Sequence, residues 1–90
     1  MRYEWDESKR AANLAKHGID FADAERFDWS TAMEVEDNRL EYGEKRWITL
    51  GRIGCRLHVL IYTERIGNIR LISLRKANSR EREFYEKKQT

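Results

Sequence analysis

Arginine side chains are concentrated in the segment 62–85, which reads YTERIGNIRLISLRKANSREREFY. An arginine stays charged and can hold a phosphate group through two parallel hydrogen bonds. Cleavage of an RNA phosphodiester needs such cations, together with a base for the 2′-hydroxyl and an acid for the 5′-oxygen. The segment therefore favours an anion-binding surface, and RNA is one anion whose bases could stack on nearby aromatic rings.

The cations are carried by a predicted antiparallel meander of three strands, over 46–51, 55–64 and 68–75. The third strand is apolar on both faces and is predicted near the middle of the sheet. At about 3.3 Å per residue, Arg65 and Arg75 lie roughly 25 Å apart, so only one of them can sit at the scissile phosphate. One end of the meander gathers Glu44, Arg46, Tyr62 and Arg65, and the other end gathers Arg52, Arg56, His58 and Arg75.

Each candidate residue also has a structural interpretation. Glu44 is either a general base or one member of a surface ion pair of little energetic value. His17 is either a proton carrier or a cation that interacts with the dipole at the end of its helix. Tyr85 is predicted to be exposed on a weakly anchored final helix, where it could stack a base. Tyr62 and Trp47 could do the same or pack in the core.

The remaining elements are predicted from caps and periodicity, and together they give an α+β fold. Helix 7–17 is capped by Asp6, ends at Gly18 and has an inner stripe of Ala11, Leu14 and Ala15. The other predictions are a strand at 2–5, a short helix capped by Asp20 with Phe21, Ala24 and Phe27 inward, a strand at 31–36, and a helix at 78–88.

Composition indicates one domain over residues 1–90 with an uneven charge. The net charge is +2, but residues 51–90 carry ten Lys and Arg against four Glu, which suggests a basic face for a nucleic acid or an acidic protein. Cys55 is predicted to be a buried hydrophobe, and a single cysteine fits a reducing cytoplasm. No metal-ligand spacing, signal peptide or membrane-spanning run is present, so neither a metal nor another cofactor is expected.

Several short blocks along residues 3–85 resemble the BrnT toxin family in order and spacing. The blocks are Trp5-Asp6-Glu7 with Lys9 and Asn13, Lys16-His17-Gly18 with Phe21 and Ala24, Gly43-Glu44-Lys45-Arg46 with Gly51, Tyr62-Thr63-Glu64-Arg65, Ile69-Arg70-Leu71-Ile72-Ser73 with Arg75 and Ala77, and Glu81-Arg82 with Tyr85. One block departs from the family, because Leu74 stands where alanine is common. If Leu74 points into the core, only packing changes; if it faces the groove, substrate access changes.

The resemblance implies a type II toxin–antitoxin ribonuclease with a RelE-like fold. In that fold an N-terminal strand and two helices pack on the antiparallel meander, and a helix ends the chain. The toxin would cleave RNA without a metal, inhibit translation, and be neutralised by a DNA-binding antitoxin of the BrnA type whose complex binds operator DNA. Active-site positions implied in this way are Arg65, Arg75, Glu44, Arg46 and Tyr85.

Further candidates are His17 as a proton carrier and, as RNA contacts, Lys16, Tyr62 and Arg82. The alternative is a non-catalytic nucleic-acid- or protein-binding module with a toxin-like fold, since a basic half with aromatic residues serves such a module equally well.

Overall fold

The computed structural model describes residues 2–89 and has one five-stranded mixed sheet with helices on both faces. Its elements are β1 (Tyr3–Glu4), α1 (Glu7–His17), a 3₁₀ helix (Phe21–Arg26), β2 (Phe27–Glu36), β3 (Trp47–Ile53), β4 (Arg56–Arg65), β5 (Asn68–Lys76) and α2 (Ser79–Gln89). The ends of the predicted domain, Met1 and Thr90, lie outside the described residues.

The strands are ordered β1-β5-β4-β3-β2 across the sheet. Strands β2 to β5 form an antiparallel meander, and β1 pairs in parallel with β5. The prediction of three long strands is therefore wrong in number, because β2 is a fourth long strand. The α+β class is confirmed, and β4 rather than β5 occupies the centre.

Helix α1 begins and ends where its caps predict. The Asp6 carboxylate accepts hydrogen bonds from the backbone of Ser8 and Lys9, and Gly18 takes the left-handed conformation at φ 72°. The predicted inner stripe is wrong, since Leu14 is 43% exposed. The side chains turned inward are those of Arg10, Asn13 and His17, which share one helical face by their spacing.

Asn13 explains why a polar face of α1 packs against the sheet. Strand β1 pairs only with Ile69 and Arg70, so the rest of that edge of β5 has no neighbouring strand within the described residues. The Asn13 amide donates to the Leu74 carbonyl at 2.8 Å and accepts from the Leu74 N–H at 3.1 Å. These two bonds replace a strand partner and cover the open edge.

Two hydrophobic clusters lie on opposite faces of the sheet. The first contains Phe21, Leu60, Leu71 and Leu74 beneath α1 and the 3₁₀ helix. The second contains, among others, Leu57, Val59 and Tyr85 beneath α2. Leu74 is fully buried, so its departure from the family pattern alters packing and not access to a groove.

Strand β2 differs most from its prediction. The second helix is a 3₁₀ helix that ends before Phe27, and Phe27 opens the strand. Asp28 pairs with Arg52 but Met33 pairs with Leu50, so residues 29–32 bulge opposite a single residue of β3. That residue is Gly51, and a Cβ there would lie 2.3 Å from the Phe27 ring.

Two predictions of burial are also wrong. Tyr85 is 2% exposed, and its hydroxyl donates to the Thr31 carbonyl at 2.8 Å, so the bulge of β2 anchors α2. Cys55 is exposed, because it lies in the tight turn between β3 and β4 and not inside a strand. Among residues 2–89, no helix is both long and apolar enough to cross a membrane.

Candidate functional site

Glu44 lies between two arginines at one end of the sheet. Its Oε2 accepts a hydrogen bond from Arg46 Nε at 3.0 Å, and its Oε1 lies 3.6 Å from Arg65 Nη2. The loop between β2 and β3 supplies Glu44 and Arg46, and the last residue of β4 supplies Arg65. The structure thus brings together three of the residues predicted from sequence, as the reversal of the meander required.

Glu44 and Arg65 border a cleft of about 500 Å³, which we call the Glu44 cleft. Its lining consists of Glu44, Lys45, Trp47, Thr63, Glu64 and Arg65. Trp47 is half-buried and packs against the first hydrophobic cluster. Two cations, two carboxylates and an indole ring therefore line one space. The sequence predicts no role for Lys45, and its place in this cleft follows from the loop conformation.

Several contacts fix the loop that carries Glu44. Thr63 Oγ1 donates to the Lys45 carbonyl at 2.6 Å, and the Asp37 N–H donates to the Arg46 carbonyl at 2.7 Å. The Arg46 guanidinium also lies 4.1 Å from the centre of the Tyr42 ring. The loop therefore holds the carboxylate at a defined position beside β4.

Asp37 is the buried anchor at the start of that loop. Its carboxylate accepts two hydrogen bonds from the Arg39 guanidinium, each 2.8 Å, and one from the Tyr42 hydroxyl. The bonds from Arg39 hold the pKa of Asp37 well below its ordinary value, despite the opposing effect of burial. The side chain consequently stays charged and keeps both of its donors.

Arg75 lies in a separate cluster and has a different set of partners. Its Nη1 and Nη2 contact the two carboxylate oxygens of Glu81 at 2.9 and 2.8 Å. This bidentate pair joins β5 to α2, and it lowers the pKa of Glu81. The Arg75 side chain is 31% exposed, whereas that of Arg65 is 54% exposed. Arg65 is therefore the more available of the two for a phosphate.

His17 and Lys16 line a separate groove of about 210 Å³ between α1 and β5, which is smaller than the Glu44 cleft. Burial, followed by the charges of Lys16 and Arg75, lowers the pKa of His17. These effects favour the neutral form of the imidazole. The Glu44 cleft and this groove share no lining residue, so the structure does not bring His17 to Glu44.

The remaining predicted contacts are mostly engaged within the protein. Tyr62 is 5% exposed and donates its hydroxyl to Glu34 Oε1; burial, then Glu34, raises its pKa. Arg82 is half-buried, and its Nη1 donates to the Ala77 carbonyl at 3.3 Å. Tyr85 is also buried, so neither tyrosine stands exposed on the outer surface of the sheet.

A second cleft, of about 490 Å³, adjoins the Glu44 cleft through Glu64, which lines both. We call it the aromatic cleft, and it is lined by Tyr3, Trp29, Glu34, Tyr62, Glu64 and Ile69. The sequence does not predict this cleft, because Trp29 and Glu34 lie in an acidic segment with little periodicity and reach the cleft only through the bulge and register of β2.

The part of the sequence that contains these sites matches a known protein family. A model of the ribonuclease toxin BrnT, of type II toxin–antitoxin systems, matches residues 5–81. The chain belongs to the BrnT family. The match includes the whole of both clefts except Tyr3, whereas Arg82 and Tyr85 lie beyond it. No curated protein sequence matches the chain.

Membership confirms the resemblance that the sequence blocks carry, and it assigns the chain to the ribonuclease toxins. RNA as substrate and an antitoxin as partner follow for this BrnT chain from the description of its family.

Proposed function

We propose that this BrnT chain is a metal-independent endoribonuclease whose active site is the Glu44 cleft. The observation that supports this is the placement of the Glu44 carboxylate between the guanidinium groups of Arg46 and Arg65. A carboxylate can accept a proton, and the cations beside it can stabilise charge that develops on a phosphate. The exposure of Arg65 leaves donors free for that phosphate.

The proposed reaction uses the 2′-hydroxyl of the RNA as nucleophile. Glu44 accepts the hydroxyl proton while the oxygen attacks the adjacent phosphorus, and Arg65 and Arg46 stabilise the five-coordinate phosphate. Lys45, which lines the same cleft, donates a proton to the departing 5′-oxygen. The products are a 2′,3′-cyclic phosphate and a 5′-hydroxyl, and no metal ion or cofactor takes part.

The roles of the other predicted residues follow from their partners. Arg75 joins α2 to the sheet through Glu81 and does not contact the scissile phosphate. Lys16 and His17 form a separate surface groove that contacts RNA outside the cleavage site. Tyr85 has a structural role in anchoring α2, with Arg82 beside it.

Cleavage by purified protein tests the proposal. Incubation with RNA in EDTA should give products ending in a 2′,3′-cyclic phosphate. Glu44→Gln and Arg65→Gln should each lower the cleavage rate by about a hundredfold or more. Arg80→Gln, which changes an exposed arginine on α2, is the matched control and should cleave normally.

The competing function is a non-catalytic binding module. It is favoured by the same ion pairs, because Glu44 and Arg46 are both half-buried and could serve only to fix the loop. RNA binding without any cleavage, in folded wild-type protein, would support the module and contradict the ribonuclease.

In a bacterial cell, the proposed enzyme acts in the cytoplasm and blocks translation by degrading RNA. A DNA-binding antitoxin of the BrnA type neutralises it, and the complex binds operator DNA through the antitoxin. Expression without the antitoxin should stop growth, and expression of the Glu44→Gln variant should not. Equal growth arrest by both proteins would show that toxicity does not depend on the Glu44 cleft.

A further inference from the structure

The aromatic cleft has a hydrogen-bonding pattern that the proposed chemistry does not use. Its walls are mainly apolar rings, and two carboxylates, Glu34 and Glu64, reach into it. Both glutamates are exposed residues. Within residues 2–89, neither forms a salt bridge. The cleft therefore offers acceptors that lack a cationic partner.

The orientation of Glu34 leaves one oxygen available. Its Oε1 accepts hydrogen bonds from Thr49 Oγ1, at 3.0 Å, and from the Tyr62 hydroxyl. These bonds hold the carboxylate in place against β3 and β4. Across the described part of the chain, Oε2 has no hydrogen-bond partner, so a ligand with N–H donors can reach it.

Tyr3 supplies a donor to the same cleft. Its hydroxyl oxygen accepts a hydrogen bond from Trp29 Nε1 at 2.6 Å, which leaves the hydroxyl proton free to donate. Trp29 is in turn held edge-on to Tyr62, with ring centroids 5.5 Å apart. One hydroxyl donor and two carboxylate acceptors thus surround an aromatic space.

We propose that the aromatic cleft binds a guanine base of the RNA next to the cleaved phosphodiester. The Watson–Crick edge of guanine presents one acceptor, O6, beside two donor groups, N1–H and N2–H₂. Tyr3 can donate to O6, and the carboxylates of Glu34 and Glu64 can accept from N1–H and N2–H₂. Adenine, which has an acceptor at N1 and no donor at C2, does not match this pattern.

The position of the aromatic cleft supports binding of a base there, and not of a phosphate group. Glu64 borders both clefts, so a nucleotide whose phosphate contacts Arg65 has its base beside the aromatic cleft. The two carboxylates repel phosphate, which confines the backbone to the side where Lys45 and Arg65 lie. A volume of about 490 Å³ is ample for one purine.

Binding measurements test this inference, which rests on the proposed function for the position of the phosphate. Guanosine, inosine and adenosine 3′-monophosphates are titrated into the protein while the Trp29 indole N–H is followed by NMR. The guanosine nucleotide should bind at least about tenfold more tightly than the adenosine nucleotide. The inosine nucleotide, which lacks N2–H₂, should have an intermediate affinity. Equal affinities for guanosine and adenosine would overturn the inference.

Variants identify the groups that read the base. Glu34→Gln and Glu64→Gln should each remove most of the preference for guanosine monophosphate. Tyr3→Phe should weaken the binding of both guanosine and inosine monophosphates. Glu86→Gln, an equal charge change on an exposed part of α2, should leave the preference intact. Because the three nucleotides are first ranked on unaltered protein, a variant that fails to fold does not prevent the test.

The same experiment separates this inference from the proposed function. Preferential binding of guanosine without RNA cleavage would support the base site and contradict the ribonuclease. RNA cleavage at equal rates next to all four bases would support the ribonuclease and contradict the guanine site. A short arginine-containing peptide is the remaining comparison, because a guanidinium has similar N–H donors; if it shifts the Trp29 signal while no nucleotide does, the cleft is a protein-binding site and the inference is wrong.

Discussion

Arg65 and Arg75 carry the same guanidinium group, yet the groups beside them differ. Arg75 makes two short contacts to Glu81, whereas Arg65 lies 3.6 Å from Glu44 and is more exposed. A guanidinium with its donors already bonded must break those bonds before it can hold a phosphate. Identical residue types therefore acquire different tasks from their neighbours, which is why we assign the phosphate to Arg65.

Asn13 joins α1 to the edge of β5 through two buried hydrogen bonds. Asn13→Ala leaves the N–H and C=O of Leu74 without partners in a buried position. Urea denaturation should show a loss of about 2 to 4 kcal/mol in the free energy of unfolding. Asn38→Ala, at an exposed position, should change it by less than about 0.5 kcal/mol. Equal effects of the two changes would show that Asn13 does not support the edge of β5.

Helix α2 illustrates how an element with few apolar residues is held in place. Its anchors are Tyr85, buried and bonded to Thr31, and Glu81, paired with Arg75. The Asn78 side chain accepts from the Glu81 N–H while the Glu81 carboxylate accepts from the Asn78 N–H, which is a capping box. The helix is therefore fixed by specific contacts at two points, and not by a broad apolar face.

Removing either anchor should loosen α2 without unfolding the sheet. Tyr85→Phe loses the bond to Thr31, and Glu81→Gln loses the charged pair with Arg75; each should lower the local stability of α2 by about 1 kcal/mol. Amide hydrogen exchange in Ser79–Gln89 should become faster in both variants, relative to the strands. Glu83→Gln, at an exposed position on the same helix, should exchange like the unaltered protein. Unchanged protection in all three would contradict this account.

Over the whole molecule, buried and hydrogen-bonded ionisable groups couple stability to pH. Burial lowers the pKa of His17 and His58 below the ordinary value of 6.5. Hydrogen bonds from arginines lower the pKa of Asp37 and Glu81 below their ordinary values of 3.8 and 4.5. In each case the unfolded chain binds protons at a higher pH than the folded one, so stability falls as the pH falls.

The order of these losses is a prediction. The histidines should begin to destabilise the fold as the pH drops below about 6.5, and the carboxylates should follow below about 4.5. Urea midpoints measured between pH 8 and pH 3 should show both stages. His58→Gln should reduce the first stage, and Asp37→Asn should reduce the second. A midpoint that rises between pH 7 and pH 5 would contradict the predicted sign of the histidine effect.

Local sequence signals determined much of the fold. The caps of α1 and the strand pattern over 46–75 located most of the elements to within a residue or two, because such signals depend on neighbours in the chain. Strand reversal also correctly placed Glu44, Arg46 and Arg65 at one end of the sheet. The blocks that resemble BrnT were likewise sufficient to identify the family.

Only the tertiary structure decided which side chains are buried and which are free. Leu14 is exposed, because Asn13 faces inward to pair with the backbone of Leu74, and Tyr85 is buried, because the bulge of β2 offers it a carbonyl. These contacts join residues more than fifty positions apart, and periodicity within one element carries no information about them. The aromatic cleft arises in the same way, since β1, β2, β4 and β5 each supply part of it.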